Sequence, residues 1–181
     1  SYIGTHDVSV VEMDCVEGKQ EDQKAILTLH FVSLHMQLYY IMDEHTSMCV
    51  IETLDLIEDA IGSVLFHELF ELILTDNGHE FWNFVEMERS ISGGKRTKIF
   101  FCEPNRSDQK GACENNHKLF RCIVPKGTSI DTYDQSDMII ATNHVNSYCR
   151  KSLFGRSPYE LAMESIPGDF FTYLGIEIIP P

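Results

Sequence analysis

Three carboxylates in this chain, Asp14, Asp76 and Glu114, sit in contexts where catalysis offers a better reason for a charge than folding does. Asp14 interrupts the apolar run VSVVEMDCV (Val8 to Val16). A lone carboxylate in a central strand is costly unless it is paired or bound to a metal. Glu12, two residues earlier, lies on the same face of that strand. Asp76 ends the apolar stretch LILT and opens TDNG. Turn formation alone explains part of this, because Asp and Asn bond their own backbone and Gly tolerates positive φ. A second reason is positional: ligands of open α/β sheets collect at the carboxyl ends of parallel strands, and neighbouring strands lie about 4.8 Å apart. At that spacing Asp14 and Asp76 can share a cation, with Glu114, opening the helix after the next strand, as a third ligand. Two Asp and one Glu form a hard oxygen site suited to Mg²⁺ or Mn²⁺ and not to zinc. Two such ions, about 3.5–4 Å apart, activate a water or 3′-hydroxyl and stabilise the leaving oxygen in phosphodiester displacement.

The elements that must hold these residues follow from periodicity. Val8 to Val16, Lys24 to Ser33 and Met36 to Glu44 are rich in β-branched and aromatic residues and joined by short links, which predicts an antiparallel meander. From about Thr46, apolar residues at Val50, Leu54, Ile57, Ile61 and Leu65 predict one amphipathic helix of roughly 18 residues. Strand ELILT, a short helix over His79 to Ser90, strand TKIFF (Thr97 to Phe101) and a helix through ENNHKLFRCI follow. Two further helices are expected over Tyr133 to Tyr148 and Pro158 to Glu164, the latter with Ser157 as N-cap and Pro158 in its first position. The tail FTYLGIEIIPP is expected to be extended or disordered. Strands alternating with helices after a meander predict a mixed α/β sheet with a parallel part, in one domain over residues 1–181.

Composition narrows the function. A hydrophobic content of 43% over 181 residues supports a core of ordinary size. The net charge of −14 is unevenly spread: residues 1–88 carry 2 Lys+Arg against 18 Asp+Glu (−16), and residues 89–181 carry 12 against 10 (+2). Any polyanion is therefore expected on the second half, through Lys110, Lys118, Arg150, Lys151 and Arg156 among others. No apolar run reaches membrane-spanning length and no signal peptide opens the chain, so a cytoplasmic protein away from membranes is expected. The six cysteines form no CxxC pair, and most are expected to be small core residues. His67-Glu68 begins a zinc-protease motif, but residue 71 is Glu and not His. Cys113, His117 and Cys122 lack a fourth ligand, and Phe66, Phe70, Phe81, Trp82 and Phe84 are expected as core.

VEMDCVEG around Asp14, TDNGHEF around Asp76, PNRSDQKGACENNH ending past Glu114, the PKGT turn and CRKSLFGRSPYE together carry a resemblance. The chain resembles the IS-thirty type of DDE insertion-sequence transposases over about Val8 to Leu161. The resemblance implies a ribonuclease H-like fold with a retroviral-integrase-like core, a five-stranded sheet and helices on both faces. It makes Asp14, Asp76 and Glu114 the catalytic, metal-binding triad for two Mg²⁺ or Mn²⁺ ions. It also matches Asn77, Gly78, Glu80 and Phe81 to the strand-end signature, and Lys110, Gly111, Asn115 and Asn116 to the block around the catalytic Glu. The implied reaction is cleavage at element ends and joining of 3′-hydroxyls to target DNA. The implied partners are double-stranded terminal repeats and target, held by a homodimer or larger assembly at the bacterial nucleoid. Two departures touch substrate contacts: Asn105 to Gln109 lacks the usual aromatic, and Cys113 replaces a polar residue. The helix-turn-helix region of such transposases is not found in these residues, so an excised core is expected. A catalytically silent DNA-binding derivative and a ribonuclease H-like nuclease are the rival readings.

Overall fold

The computed structural model describes residues 9–102 and 118–180. Its strands β1 (Val10–Glu17), β2 (Ala25–Phe31), β3 (Met36–Met42), β4 (Leu72–Thr75) and β5 (Lys98–Phe101) form one sheet in the order β3-β2-β1-β4-β5. β1, β2 and β3 are the antiparallel meander, and β4 and β5 run parallel to β1. The expected mixed five-stranded sheet is therefore present, with β1 at its centre.

Helices α1 (Ser47–Ile61), α2 (Ser63–Leu69), α3 (Phe84–Met87), α4 (118–123), α5 (Gln135–Ser147), α6 (Pro158–Met163) and α7 (Gly168–Tyr173) pack around it. The alternation of β1 divides the core. Val11 and Met13 join Ile73 under α1, α6 and α7, while Val16 joins Ile26 and Tyr39 under Phe120 of α4 and Met138, Ala141 and Val145 of α5. Glu12 and Asp14 share the second face and are half-buried. Asp14 is thus not sealed between two apolar layers as the sequence suggested, although Val16 beyond it on the same face is buried.

Several expectations change. The single long helix is two: Gly62 takes a φ of 83° and its N–H caps the Glu58 carbonyl at 2.8 Å, ending α1 before the same apolar stripe resumes in α2. The helix over His79 to Ser90 shrinks to a 3₁₀ turn at His79–Phe81 and the four residues of α3. The tail is neither extended throughout nor loose, since α7 and the residues after it bury Phe170, Phe171 and Ile176 in the core. Among the described cysteines, Cys122 and Cys149 are exposed, Cys102 is half-buried, and Cys15 and Cys49 are half-buried against the core, so the expectation holds only for the last two. Trp82 and Phe84 are exposed while Phe66, Phe70 and Phe81 are buried. The Ser157 cap forms as expected, as a full capping box with Glu160 and with Pro158 at the first turn.

Two groups of polar contacts fix the frame. Arg96, whose side chain is fully buried, pairs with Asp55 and with Glu58 at 3.1 Å, and its Nε donates to the Met87 carbonyl at 2.7 Å. This ties α1 and α3 to the approach of β5. On the far edge of the sheet, β3 is covered by side chains of α5. The N–H groups of Gln37, Tyr39 and Ile41 donate to Asn146 Oδ1 (2.9 Å), Thr142 Oγ1 (3.2 Å) and Gln135 Oε1 (2.9 Å). Asn146 and Gln135 amides return bonds to the Gln37 and Tyr39 carbonyls at 2.7 and 3.2 Å. One helical turn rises about 5.4 Å and a two-residue strand step about 6.6 Å, so Thr142 and Asn146 can meet alternate strand amides.

Candidate functional site at the carboxyl ends of β1 and β4

The parallel register pairs Val10 with Leu72, Val11 with Ile73 and Glu12 with Leu74. Continued by two residues, it brings Asp14 level with Asp76, and the alternation that puts Asp14 on the α4 side puts Asp76 there too. Both carboxylates act on the neighbouring Cys15 thiol. Asp14 Oδ1 accepts from the Cys15 N–H at 2.9 Å, and Asp76 Oδ1 accepts from the Gly78 N–H at 2.9 Å, closing the turn expected of TDNG. Asp76 is exposed, and among the described residues no Lys or Arg side chain forms an ion pair with it. Glu114, Lys110, Gly111, Cys113, Asn115, Asn116 and His117 lie outside the described residues. What is described of the helix that follows, α4, packs Phe120 against Tyr39 with ring centroids 4.3 Å apart, on the same face of the sheet as Asp14.

The turn does not use the tolerance of positive φ for which the sequence suggested Gly78. Its φ is −58°, open to any residue. A Cβ built there would stand 2.5 to 2.7 Å from the Glu80 carboxylate, which folds back against it. Glu80 is buried and meets two imidazoles, His45 Nε2 at 3.0 Å and His79 Nδ1 at 3.4 Å. His45 Nδ1 lies 2.8 Å from Glu17 Oε1. Cys15, on the face of β1 opposite Asp14, completes this group, and burial followed by the charges of Glu80 and Asp14 pushes its thiol far above the usual range. Cys15 and Glu17 on β1, His45 before α1 and His79 after β4 escape sequence reasoning because no local spacing connects these three segments. Trp82, exposed beside the turn, donates from Nε1 to the Asn77 carbonyl at 3.3 Å.

The basic residues divide. Lys118 and Lys151 are exposed, whereas Arg156 is engaged with Glu164 at 2.7 Å and with the Glu160 carbonyl at 3.2 Å. Arg150 is buried, and its guanidinium donates to the Val145 carbonyl at 3.2 Å, which removes it from the exposed face on which the sequence grouped it. Between Arg150 and Arg156 the tip residue Phe154 is 97% exposed with a φ of 56°.

No family model matches the chain. It is 30% identical over 93 residues to the transposase for insertion sequence element IS1086 of Cupriavidus metallidurans, covering 51% of this chain and 26% of that protein. It is 32% identical over 92 residues to the transposase for insertion sequence element IS4351 of Bacteroides fragilis, covering 51% of this chain and 27% of that protein. A putative integrase, ORF3 of Spiroplasma virus SpV1-R8A2 B, is 27% identical over 164 residues, or 88% of this chain and 47% of the viral protein. The matches thus span about a quarter of the curated transposases and about half of the viral protein. Among solved structures, the catalytic core domain of BIV integrase superposes with a TM-score of 0.56 over 88% of this chain and 96% of that one, at 16% identity. The fold is that of an integrase catalytic core, the ribonuclease H-like architecture.

Proposed function

For a chain related in sequence to insertion-sequence transposases and folded as an integrase catalytic core, we propose the role of a DNA transposase core that cuts at the ends of its element and joins the 3′-hydroxyls to target DNA. The observation that carries this reading is the register that levels Asp14 with Asp76 at the ends of adjacent parallel strands. In this reading Asp14, Asp76 and Glu114 hold two Mg²⁺ or Mn²⁺ ions. The donor set fits: the two carboxylates face the same side, Asp76 is open to solvent, and no Lys or Arg among the described residues neutralises Asp76. When bound, such ions supply the positive charge that activates the attacking hydroxyl and stabilises the leaving oxygen. The chain's own contribution is positional. The Gly78 N–H fixes the Asp76 carboxylate through Oδ1, and the Cys15 N–H fixes that of Asp14. Exposed Lys118 and Lys151 contact DNA phosphates, together with Lys110, Asn115 and Asn116. The working unit is one domain over residues 1–181, assembled as a dimer or larger complex on double-stranded DNA in the bacterial cytoplasm.

The test is a strand-transfer assay with the complete protein, Mg²⁺ and its element's terminal repeats. Glu114→Gln, which keeps the shape and removes the charge, is expected to abolish cleavage and joining while DNA binding persists. Residual joining within about tenfold of wild type, a loss of only about 1.4 kcal/mol of transition-state stabilisation, would sink the triad assignment. Nicking without joining by the wild-type protein would point instead to a nuclease.

A further inference from the structure

The group behind the strand ends has a chemistry different from that of the carboxylate pair. The Cys15 thiol, an imidazole nitrogen of His45 and a Glu80 oxygen all lie within 4.8 Å of one another. His45 Nε2 is buried, and although Glu80 Oε1 is 3.0 Å away the contact has no hydrogen-bond alignment, so the nitrogen has no hydrogen-bond partner among the described residues. Buried polar atoms in that condition call for an explanation, and an ion is one of the few available. Glu80, 6% exposed, forms ion pairs only with His45 and His79 among the described residues. Among the described residues, no Lys or Arg forms an ion pair with Glu17 or Glu80. Across the ring, Glu17 Oε1 holds His45 Nδ1 at 2.8 Å, the carboxylate–histidine arrangement that orients an imidazole so that Nε2 serves as a ligand.

We propose that Cys15, His45 and Glu80 form a second cation site, selective for Zn²⁺ or a similarly thiophilic divalent ion, on the face of β1 opposite Asp14. Thiolate, imidazole and carboxylate are the zinc donor types, and three of them leave the fourth tetrahedral position to water. With metal–ligand bonds of about 2.0 to 2.3 Å, tetrahedral ligands stand about 3.3 to 3.8 Å apart. From separations of at most 4.8 Å, reaching that spacing takes about 1.5 Å or less between any two ligand atoms. Binding replaces the Cys15 S–H bond by an S–metal bond and releases that proton to water, and the Glu80 carboxylate exchanges the thiol proton for the ion. An open cleft lined by Glu17, Lys19, Asp22, Lys24 and His45 gives the imidazole a route to solvent. Cys15 adjoins Asp14, and Glu80 is four residues past Asp76. The ion would therefore pin both strand ends from behind, whatever reaction occurs in front.

Co²⁺ titration of the purified full chain tests this without reference to catalysis. Expected is a thiolate-to-cobalt charge-transfer band that saturates at one equivalent, with visible bands of a four-coordinate site, displaced by Zn²⁺. Cys15→Ser should abolish the charge-transfer band. His45→Gln should weaken Co²⁺ binding by more than the roughly 10–100-fold typical of losing an outer-shell partner. Asp76→Asn should leave the band intact. The proposal is overturned if no band forms. It also fails if the band survives both Cys15→Ser and His45→Gln, which would assign it to the exposed Cys122 or Cys149. Loss of the band in Asp76→Asn would overturn it as well, by placing the ion between the catalytic carboxylates. Near-UV circular dichroism of the metal-free variants checks that each is folded.

Discussion

Asp76→Asn separates a metal ligand from a turn residue. The Asp76 side chain closes its turn with one bond, Oδ1 to the Gly78 N–H at 2.9 Å, and an Asn Oδ1 accepts that bond equally well. The substitution removes only charge. Metal-free wild type holds Asp14 and Asp76 level on neighbouring strands. At about 4.8 Å and in the water-like dielectric proper to an exposed carboxylate, their repulsion is about 1 kcal/mol. Metal-free Asp76→Asn should therefore match wild type or exceed it by up to that amount. Mg²⁺ at ten times its dissociation constant contributes RT ln 11, about 1.4 kcal/mol. A chain of 181 residues has an unfolding entropy of about 0.38 kcal/mol/K at roughly 2.1 cal/mol/K per residue, so the wild-type melting temperature should rise by about 4 °C. Asp76→Asn should rise by less than about 1 °C. Differential scanning calorimetry with and without Mg²⁺ measures both. Equal rises in the two proteins would show that Asp76 serves the turn alone.

Glu58→Gln should cost about 3–5 kcal/mol at neutral pH, or about 8–13 °C in melting temperature, because it leaves the fully buried Arg96 guanidinium with only half-exposed Asp55 as counter-charge. Burial by itself would raise the Glu58 pKa, but bonds from Ser90, Ser63, the Ile91 N–H and Arg96 outweigh it and hold the carboxyl below its usual value. Its contribution is therefore complete above about pH 4.5 and lost as pH falls through the depressed value; urea unfolding between pH 3 and 7 should show a flatter acid limb in Glu58→Gln. Phe154→Asn should raise stability by about 1 kcal/mol, or 2–3 °C, since a 97% exposed side chain contributes little packing while its φ of 56° suits Asn. An unchanged or lowered melting temperature would indicate that Phe154 is held by contacts elsewhere. Lys118→Glu with Lys151→Glu should weaken DNA binding and lower the slope of log K against log salt by about 2, one for each phosphate contact; an unchanged slope would make both lysines surface residues only.

What was legible in the sequence was what local chemistry decides. The Ser157–Pro158 helix start, the Asp76 turn and the alternation that puts Glu12 and Asp14 on one face of β1 need only a few consecutive residues. Gly62 ends α1 although the apolar stripe continues past it, so periodicity alone gave one helix in place of two. The direction of a long side chain was not legible: Arg96 and Arg150 are buried, yet by composition they belong with the exposed lysines. Gly78 was expected for its tolerance of positive φ, which its φ of −58° does not use, and the Glu80 carboxylate that folds back against it becomes visible only when the turn is built. Cys15, His45 and Glu80 are 30 and 35 residues apart in the chain, and only the assembled sheet shows that they meet.

The side chains of α5 that bond to β3 have a consequence for how copies of this protein can join. An open strand edge is a template on which another chain can add a strand, the route to runaway association as well as to some regulated complexes. On β3 that template is already read by Gln135, Thr142 and Asn146, which occupy the amides of Ile41, Tyr39 and Gln37 as a sixth strand would. Contact between copies at this border of the sheet must therefore be made through the outer surface of α5, by side-chain packing. Such contact is finite, because packed side chains, unlike an open strand edge, offer no template for a further strand.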